Sequence, residues 1–135
     1  LGLAISHSQY QKHGGYLLRN ADMPGFTRRE QDLLSTLVLG HRRKFPLEAL
    51  SALPPDDQER TRRLCVILRL AVLLHRGRST INKPEPRLAV AREDERDTLV
   101  LHFPNDWLNA HPLTRLELEE EASRLNAANI GLDFD

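Results

Sequence analysis

The sequence of 135 residues is short of cysteine, of net charge and of long apolar runs. Its single thiol, Cys65, excludes an internal disulfide, and one thiol without partner ligands does not make a zinc site. The longest apolar stretch, residues 64–74, is interrupted by Arg69 and falls short of the roughly 20 residues that span a bilayer. We therefore expect no membrane span, a buried structural thiol and, because disulfides are absent, a cytoplasmic protein.

The N-terminus lacks the basic and then apolar pattern of a secretory signal peptide. The first residue is Leu1 and lies directly inside an apolar run, so we expect the sequence to be a fragment of a longer chain. A length of 135 residues suits one compact domain, or a domain with a small addition.

The net charge of zero hides an asymmetry between the two parts of the chain. Residues 1–90 hold 15 Lys and Arg against 8 Asp and Glu, a charge of +7. Residues 91–135 hold 4 against 11, a charge of −7. Such a division suggests two units with different partners, and the basic part suits a polyanion. The alternative is that the two parts simply attract each other.

The first 80 residues carry the pattern of helices. Thr27 and Glu30 have the spacing of a capping box, and the apolar residues behind them recur at helical spacing. A later helix, from about Asp56 to His75, is apolar almost all round its middle, as a central buried helix is. We therefore predict an all-helical domain over residues 1–80.

The pattern changes after a linker with two prolines, residues 79–86. Alternating apolar residues predict a two-stranded hairpin, which is followed by an amphipathic helix and a last strand. The predicted strands and helix are 87–92, 97–103, 112–126 and 129–134. The predicted fold class is α+β, with the all-α domain followed by a small β-β-α-β domain over residues 87–135.

Five short motifs carry a resemblance to a known family. They are His7-x5-His13, Pro24-Gly25-Phe26, Leu37-x3-His41-Arg42-Arg43-Lys44, Leu68-Arg69-Leu70-Ala71-Val72-Leu73-Leu74 and Phe103-Pro104-Asn105-Asp106-Trp107. In their order and spacing the chain resembles the C-terminal half of bacterial exopolyphosphatases, the family shared with guanosine pentaphosphate phosphohydrolases. The resemblance covers essentially the whole chain.

The resemblance implies a helical domain related to the HD phosphohydrolase fold, followed by a small α+β domain. In the full enzymes, two N-terminal actin-like domains hydrolyse the terminal phosphoanhydride of inorganic polyphosphate with the assistance of Mg²⁺. The C-terminal parts extend the groove for long polyphosphate and help to form a homodimer. The expected function of this chain is therefore polyphosphate binding and dimerisation. The alternatives are the same region of a guanosine pentaphosphate phosphohydrolase, or a purely structural module.

Three histidines, His7, His13 and His41, raise the question of a metal site. HD phosphohydrolases bind metal through His, a His-Asp pair and a distant Asp, and the resemblance sets Val72 where that distant Asp belongs. A hydrophobic side chain cannot ligate a metal. A spacing of six residues also does not put His7 and His13 on one helical face. We expect no cofactor in this fragment, and Mg²⁺ only in the parent enzyme.

A cluster of cations is the stronger candidate, because Arg binds phosphate oxygens bidentately and Lys serves as a point charge. The candidate polyphosphate-binding residues are Lys12, His13, His41, Arg42, Arg43, Lys44 and Arg69. The structural alternatives are a solvated helix end for residues 42–44 and a buried ion pair for Arg69.

Two further functions are less well supported by the sequence. The basic part has few aromatic residues and no recognisable motif that reads nucleic acid. The sequence of the fragment shows no nucleophile–base pair, no Gly-rich phosphate loop and no paired carboxylates in a plausible pocket. We therefore expect the fragment alone to be inactive as an enzyme.

Overall fold

The computed structural model describes residues 9–76 and 85–135, and the chain divides into two compact units. Unit 1 is Leu1–Val72 and unit 2 is Leu73–Asp135. The division falls inside a helix. Most of the linker predicted at residues 79–86 lies outside the described residues, so the predicted domain boundary there stays a prediction. The last two residues of that helix are grouped with unit 2, where Arg76, beyond the helix end, lies 3.8 Å from Glu117.

The described residues of unit 1 form helices joined by short loops. These are α1 (Tyr10–Asn20), α2 (Arg28–Gly40), α3 (Leu47–Ser51) and α4 (Pro55–Leu74, whose last two residues belong to unit 2). The predicted capping box begins α2: the Glu30 N–H donates to Thr27 Oγ1 at 3.1 Å, and the Thr27 N–H donates to Glu30 Oε2 at 2.7 Å. No helix of the described part is long and apolar enough to cross a membrane.

Close packing of α1 against α2 depends on a glycine. A Cβ added to Gly15 would lie only 3.3 Å from the Ser35 carbonyl oxygen and 3.3 Å from Leu39 Cβ. Ser35 Oγ donates to the Gly15 carbonyl at 2.7 Å, so a buried hydrogen bond from a side chain of α2 to the backbone of α1 also joins the two helices. Glycine inside a helix lowers its stability relative to alanine, and the close packing of α1 against α2 offsets this loss.

The described part of unit 2 contains a three-stranded sheet and, after the end of α4, two helices. Its elements are β1 (Arg87–Glu93), β2 (Arg96–His102), α5 (Trp107–Ala110), α6 (Pro112–Asn126) and β3 (Gly131–Phe134). The strand order is β1-β2-β3, with β1 antiparallel and β3 parallel to β2. Helix α6 supplies the long connection that a parallel strand pair requires. The predicted α+β fold class is confirmed.

The core of unit 2 is apolar and centres on α6. Leu118 and Leu125 have no exposed surface, and Ile130 and Leu132 are nearly as buried. The hairpin between β1 and β2 closes through Asp94 and Glu95, whose φ angles are 46° and 64°. Two consecutive positive φ angles are the geometry of a type I′ turn, which suits the twist of the strands.

Candidate anion-binding site

The loop after α2 is held close to the helix that precedes it. A Cβ on Gly40 would lie 2.3 Å from Pro46 Cγ and 2.9 Å from Cys65 Sγ, so only glycine fits at this helix end. Arg43 adopts a left-handed backbone with φ of 60°. The loop therefore has a defined path, and residues 42–44 project from it as three consecutive cations.

Arg69 of α4 anchors this loop from beneath. Its side chain is buried, with only 2% of the residue exposed. Nη1 donates to the Gly40 carbonyl at 2.8 Å, Nη2 donates to the Arg43 carbonyl, and the guanidinium carbon lies 5.7 Å from the centroid of Phe45. A cation on the last carbonyls of a helix is favourable both for the orphan carbonyls and for the helix dipole.

Four predicted cations line one pocket of about 590 Å³ in unit 1. They are Lys12, Arg42, Arg43 and Lys44. The first turn of α1 contributes Lys12, and the loop after α2 contributes the other three. Apolar side chains form part of the remaining wall, and one carboxylate, Glu48, also lines it. Among the described residues that line it, four are cations and one is a carboxylate, so this part of the pocket is basic.

Arg42 is fixed in place by an aromatic residue of α1. Its Nη1 donates to the Tyr10 hydroxyl at 2.7 Å, and its guanidinium carbon lies 4.9 Å from the centroid of the Tyr10 ring. Its Nε is buried and has no hydrogen-bond partner in the described part of the chain. Cation–π contact and the hydrogen bond restrict the rotamers of Arg42 before any ligand arrives.

Three other predicted site residues do not line the pocket within the described residues. Arg69 lies beneath the loop, as above, and His13 is half-buried on α1. His41 forms a hydrogen bond through Nδ1 with the Val38 carbonyl, and its ring lies 5.6 Å from that of Tyr10. His7, the remaining histidine of the sequence motif, lies outside the described residues.

Sequence reasoning did not single out two residues that shape this site. Tyr10 anchors Arg42, and Gln11 lines the pocket although only 4% of it is exposed. Gln11 Oε1 is buried and has no hydrogen-bond partner among the described residues. The available signal was their position in the same helical turn as Lys12. The sequence does not show that this turn lies beside the loop after α2, because the two segments are far apart along the chain.

The described residues contain no cluster of three or more His, Cys, Asp or Glu side chains that could hold a metal ion. Val72, at the place of the distant HD aspartate, is half-buried in α4. The sequence-based expectation that this fragment binds no metal stays a prediction, because His7 belongs to the motif and is not described.

Comparison with known proteins assigns the chain to a family. The model of the family described as Ppx/GppA phosphatase, domain III, matches residues 1–122. The chain belongs to the Ppx/GppA phosphatase family. It is also 35% identical over 127 residues to a guanosine-5'-triphosphate,3'-diphosphate pyrophosphatase of Pseudoalteromonas translucida (strain TAC 125), an alignment that covers 92% of this chain. The same alignment covers 24% of that relative, so the chain spans about a quarter of its length. The resemblance drawn from the five motifs is confirmed.

Proposed function

We propose that the basic pocket of unit 1 binds phosphate groups of inorganic polyphosphate on behalf of a larger phosphatase. The observation that supports this most is the meeting of Lys12, Arg42, Arg43 and Lys44 in one pocket. These cations come from two separate segments, which distinguishes the pocket from a single solvated helix end. The family to which the chain belongs consists of phosphatases.

The chemistry of the pocket suits a flexible polyanion. Polyphosphate carries close to one negative charge per internal phosphate, and its oxygens accept several hydrogen bonds each. Arg42 is already held against Tyr10, so less rotamer entropy is lost when it binds. Arg43 and Lys44 are exposed, so their side chains can bind successive phosphates of the polyphosphate chain. Glu48 repels the ligand from one side of the wall.

Arg69 serves this pocket as a positioning residue. Its donors face the carbonyls of Gly40 and Arg43, so it fixes the path of the loop that carries the cations. His13 and His41 are half-buried, and each is next to a pocket residue in the sequence.

This chain contributes binding, and hydrolysis belongs to other parts of the parent enzyme. By resemblance, the parent carries two N-terminal actin-like domains that perform the hydrolysis with Mg²⁺, and it is a cytoplasmic homodimer. The pocket itself contains cations, one carboxylate, amides and apolar groups, which is a set for holding an anion. With long-chain polyphosphate and Mg²⁺, the 135-residue chain should release no phosphate above background. Release of phosphate by this chain would contradict the proposal that it binds polyphosphate and that other parts of the parent enzyme hydrolyse it.

A guanosine pentaphosphate is the second candidate ligand, because the relative described above is named for that chemistry. The two candidates separate in competition. If polyphosphate is the ligand, a guanosine 5′-triphosphate 3′-diphosphate should displace a labelled long polyphosphate only weakly. If the guanosine nucleotide displaces the labelled polyphosphate when the two ligands are present at equal molar concentration, the nucleotide is the better candidate for the natural ligand.

The direct test removes the loop cations. Arg42→Ala, Arg43→Ala and Lys44→Ala together should weaken long-chain polyphosphate binding in a calorimetric titration by at least tenfold, roughly 1.4 kcal/mol. The matched control is Arg60→Ala, Arg62→Ala and Arg63→Ala, which removes the same charge from α4 outside the pocket. Equal losses in the two triple variants would show that only net charge matters, and the pocket proposal would fail.

A second test uses the parent enzyme. There the loop variant should slow the processing of long chains more than that of short ones, because only long chains reach a remote pocket. Unchanged ratios of kcat/KM for long and short chains would mean that the cluster is only a helix terminus. A single substitution, Glu48→Gln, should act in the opposite direction and tighten binding of long chains.

A further inference from the structure

Two buried polar atoms in the wall of the basic pocket lack hydrogen-bond partners in the described part of the chain. They are Oε1 of Gln11, a residue that is only 4% exposed, and Nε of Arg42. Both residues line the pocket, one from α1 and one from the loop after α2. A buried polar atom without a partner costs free energy, and in native proteins such an atom often marks the place of a water or an ion.

The two atoms require opposite hydrogen-bonding groups from a shared ligand. Arg42 Nε carries a hydrogen and donates, whereas Gln11 Oε1 carries none and accepts. A fully ionised phosphate group has only acceptor oxygens, so it satisfies Arg42 and not Gln11. A phosphate group that keeps one proton has a P–OH donor as well as P–O⁻ acceptors, so it can satisfy both atoms.

We propose that Gln11 and Arg42 form a subsite for a phosphate group that carries a proton, either free orthophosphate or the terminal group of a polyphosphate chain. The inference rests on the proposed function, phosphate binding in the same pocket, and adds which kind of phosphate group is held. The P–OH donates to Gln11 Oε1, and a P–O⁻ oxygen accepts from Arg42 Nε. Both atoms are covered in the free chain, so side-chain rotations on binding bring them to the ligand, as is common at binding sites.

The ionisation of polyphosphate separates the ends of the chain from its interior. An internal phosphate has lost its only acidic proton at neutral pH, whereas a terminal phosphate has a second one, with a pKa of about 6 in phosphate esters. Orthophosphate likewise keeps at least one proton. Glu48 lines the same pocket and also favours a protonated group, because a carboxylate repels one negative charge less than two.

Sulfate is the probe that isolates the acceptor, because it has the shape of phosphate and carries no proton. At a pH of about 6 sulfate is doubly charged and orthophosphate is mostly singly charged, so charge alone favours sulfate in a basic pocket. NMR titrations of the isotope-labelled 135-residue chain should nevertheless give orthophosphate the lower dissociation constant, by about fivefold, the size of one net hydrogen bond. Equal affinities, or tighter binding of sulfate, would overturn the proposal.

Substitutions of Gln11 test which residue supplies the acceptor. Gln11→Met keeps the size and removes the acceptor, so the preference for orthophosphate over sulfate should disappear. Its thermal midpoint should be no lower than that of wild type, because an unpaired buried group is removed. Gln11→Glu keeps an acceptor oxygen, so the preference should remain while both anions bind more weakly. Gln58→Met, on α4 outside the pocket, is the control and should keep the preference. A lowered midpoint with an unchanged preference in Q11M would make Gln11 a structural residue only.

Linear tripolyphosphate and cyclic trimetaphosphate separate the two sources of a protonated phosphate, because the cyclic compound has no terminal group. If the subsite holds chain ends, Gln11→Met should weaken orthophosphate and the linear compound by about fivefold. If it holds only free orthophosphate, that ligand alone should be weakened. An equal loss for the cyclic compound would overturn the proposal. Failure of long-chain polyphosphate to bind the wild-type chain would instead refute the proposed function, whereas binding of polyphosphate without a preference for orthophosphate over sulfate would refute the subsite alone.

Discussion

The two units bury different chemistry. In unit 1 the buried residues include two glutamines, Ser35, two threonines, Asp57 and Arg69, whereas Glu121 is the buried polar side chain of the described part of unit 2. Several of these polar groups in unit 1 bind backbone carbonyls near helix ends. Gln31, for example, donates to the Ala21 carbonyl at 2.8 Å and the Leu18 carbonyl at 3.3 Å.

The difference shows how each unit presents its surface. Unit 1 uses buried donors to fix loops, so the cations at residues 42–44 extend from a backbone of defined shape. Unit 2 relies on leucine packing around α6 and on its strand ladder, and it leaves β1 without cover in the described part. Unit 1 is thereby suited to hold a small charged group.

The largest expected effect is on the apolar core of unit 2. Leu118→Ala should reduce the free energy of unfolding of this unit by about 2–5 kcal/mol, because Leu118 is completely buried and a cavity remains. The loss of unfolding free energy can be measured by amide hydrogen exchange in α6 and β3. The control on the same helix is Leu113→Ala, at 69% exposure, which should cost well under 1 kcal/mol. Similar losses at the two positions would mean that α6 is not the centre of this core.

In unit 1 the buried residue with the largest expected effect is a polar one, Arg69. Arg69→Met should cost about 1–3 kcal/mol, since the Gly40 and Arg43 carbonyls lose a buried donor. It should also weaken polyphosphate binding without removing a pocket residue. Arg60→Met, an exposed position on the same helix, is the control for both measurements. A variant that is destabilised but binds normally would remove the positioning role assigned to Arg69.

Acid should weaken unit 1 through one ion pair between α2 and α4. Arg29 Nε and Nη2 donate to the two oxygens of Asp57, which lowers the pKa of that carboxyl, while burial acts in the opposite direction. A lowered pKa contributes stability above the ordinary carboxyl range, and this contribution is lost as the pH falls through the lowered value. The difference in thermal midpoint between wild type and Asp57→Asn should therefore shrink below a pH of about 4. A difference that is constant from pH 7 to acid would contradict the role of this pair.

The smallest expected effect concerns the hairpin turn of unit 2. Asp94→Asn with Glu95→Gly should stabilise the unit by up to about 1 kcal/mol, because both positions have positive φ and Asn-Gly suits a type I′ turn. Ala91→Gly, within β1, should instead destabilise it. Chemical denaturation followed by a probe in unit 2 distinguishes the two outcomes. A loss of stability in the turn variant would mean that the acidic side chains support the turn in another way.

The local features of the fold followed closely from the sequence. The capping box at Thr27 and Glu30, and the helix Pro112–Asn126, are set by neighbouring residues, and both occur as predicted. The direction of β3 did not follow, because it depends on which strand it meets and not on its own four residues. The alternating pattern of β1 predicted a strand but not that its apolar side chains would stay exposed.

The candidate site was predictable only in part. A run of three cations is visible in the sequence, and Lys12 was proposed as their neighbour. The contact of Arg42 with Tyr10 joins residues 32 positions apart, and the bond from Arg69 to the Gly40 carbonyl joins residues 29 apart. Such pairings depend on how helices pack, so the sequence placed Tyr10 and Gln11 beside Lys12 on one helical turn but did not show that Tyr10 anchors Arg42 or that Gln11 lines the pocket.

The most direct test of the central claim is the salt dependence of binding. Titrations of long-chain polyphosphate at several salt concentrations give a slope of log affinity against log salt, which reports how many phosphates the protein neutralises with release of counterions. By analogy with single-stranded nucleic acid, replacing Arg42, Arg43 and Lys44 with alanine should make that slope shallower by roughly two, about 0.7 for each phosphate that is no longer neutralised. Replacing Arg60, Arg62 and Arg63 should leave the slope unchanged. An unchanged slope in the loop variant, or equal changes in the two variants, would contradict phosphate binding in this pocket.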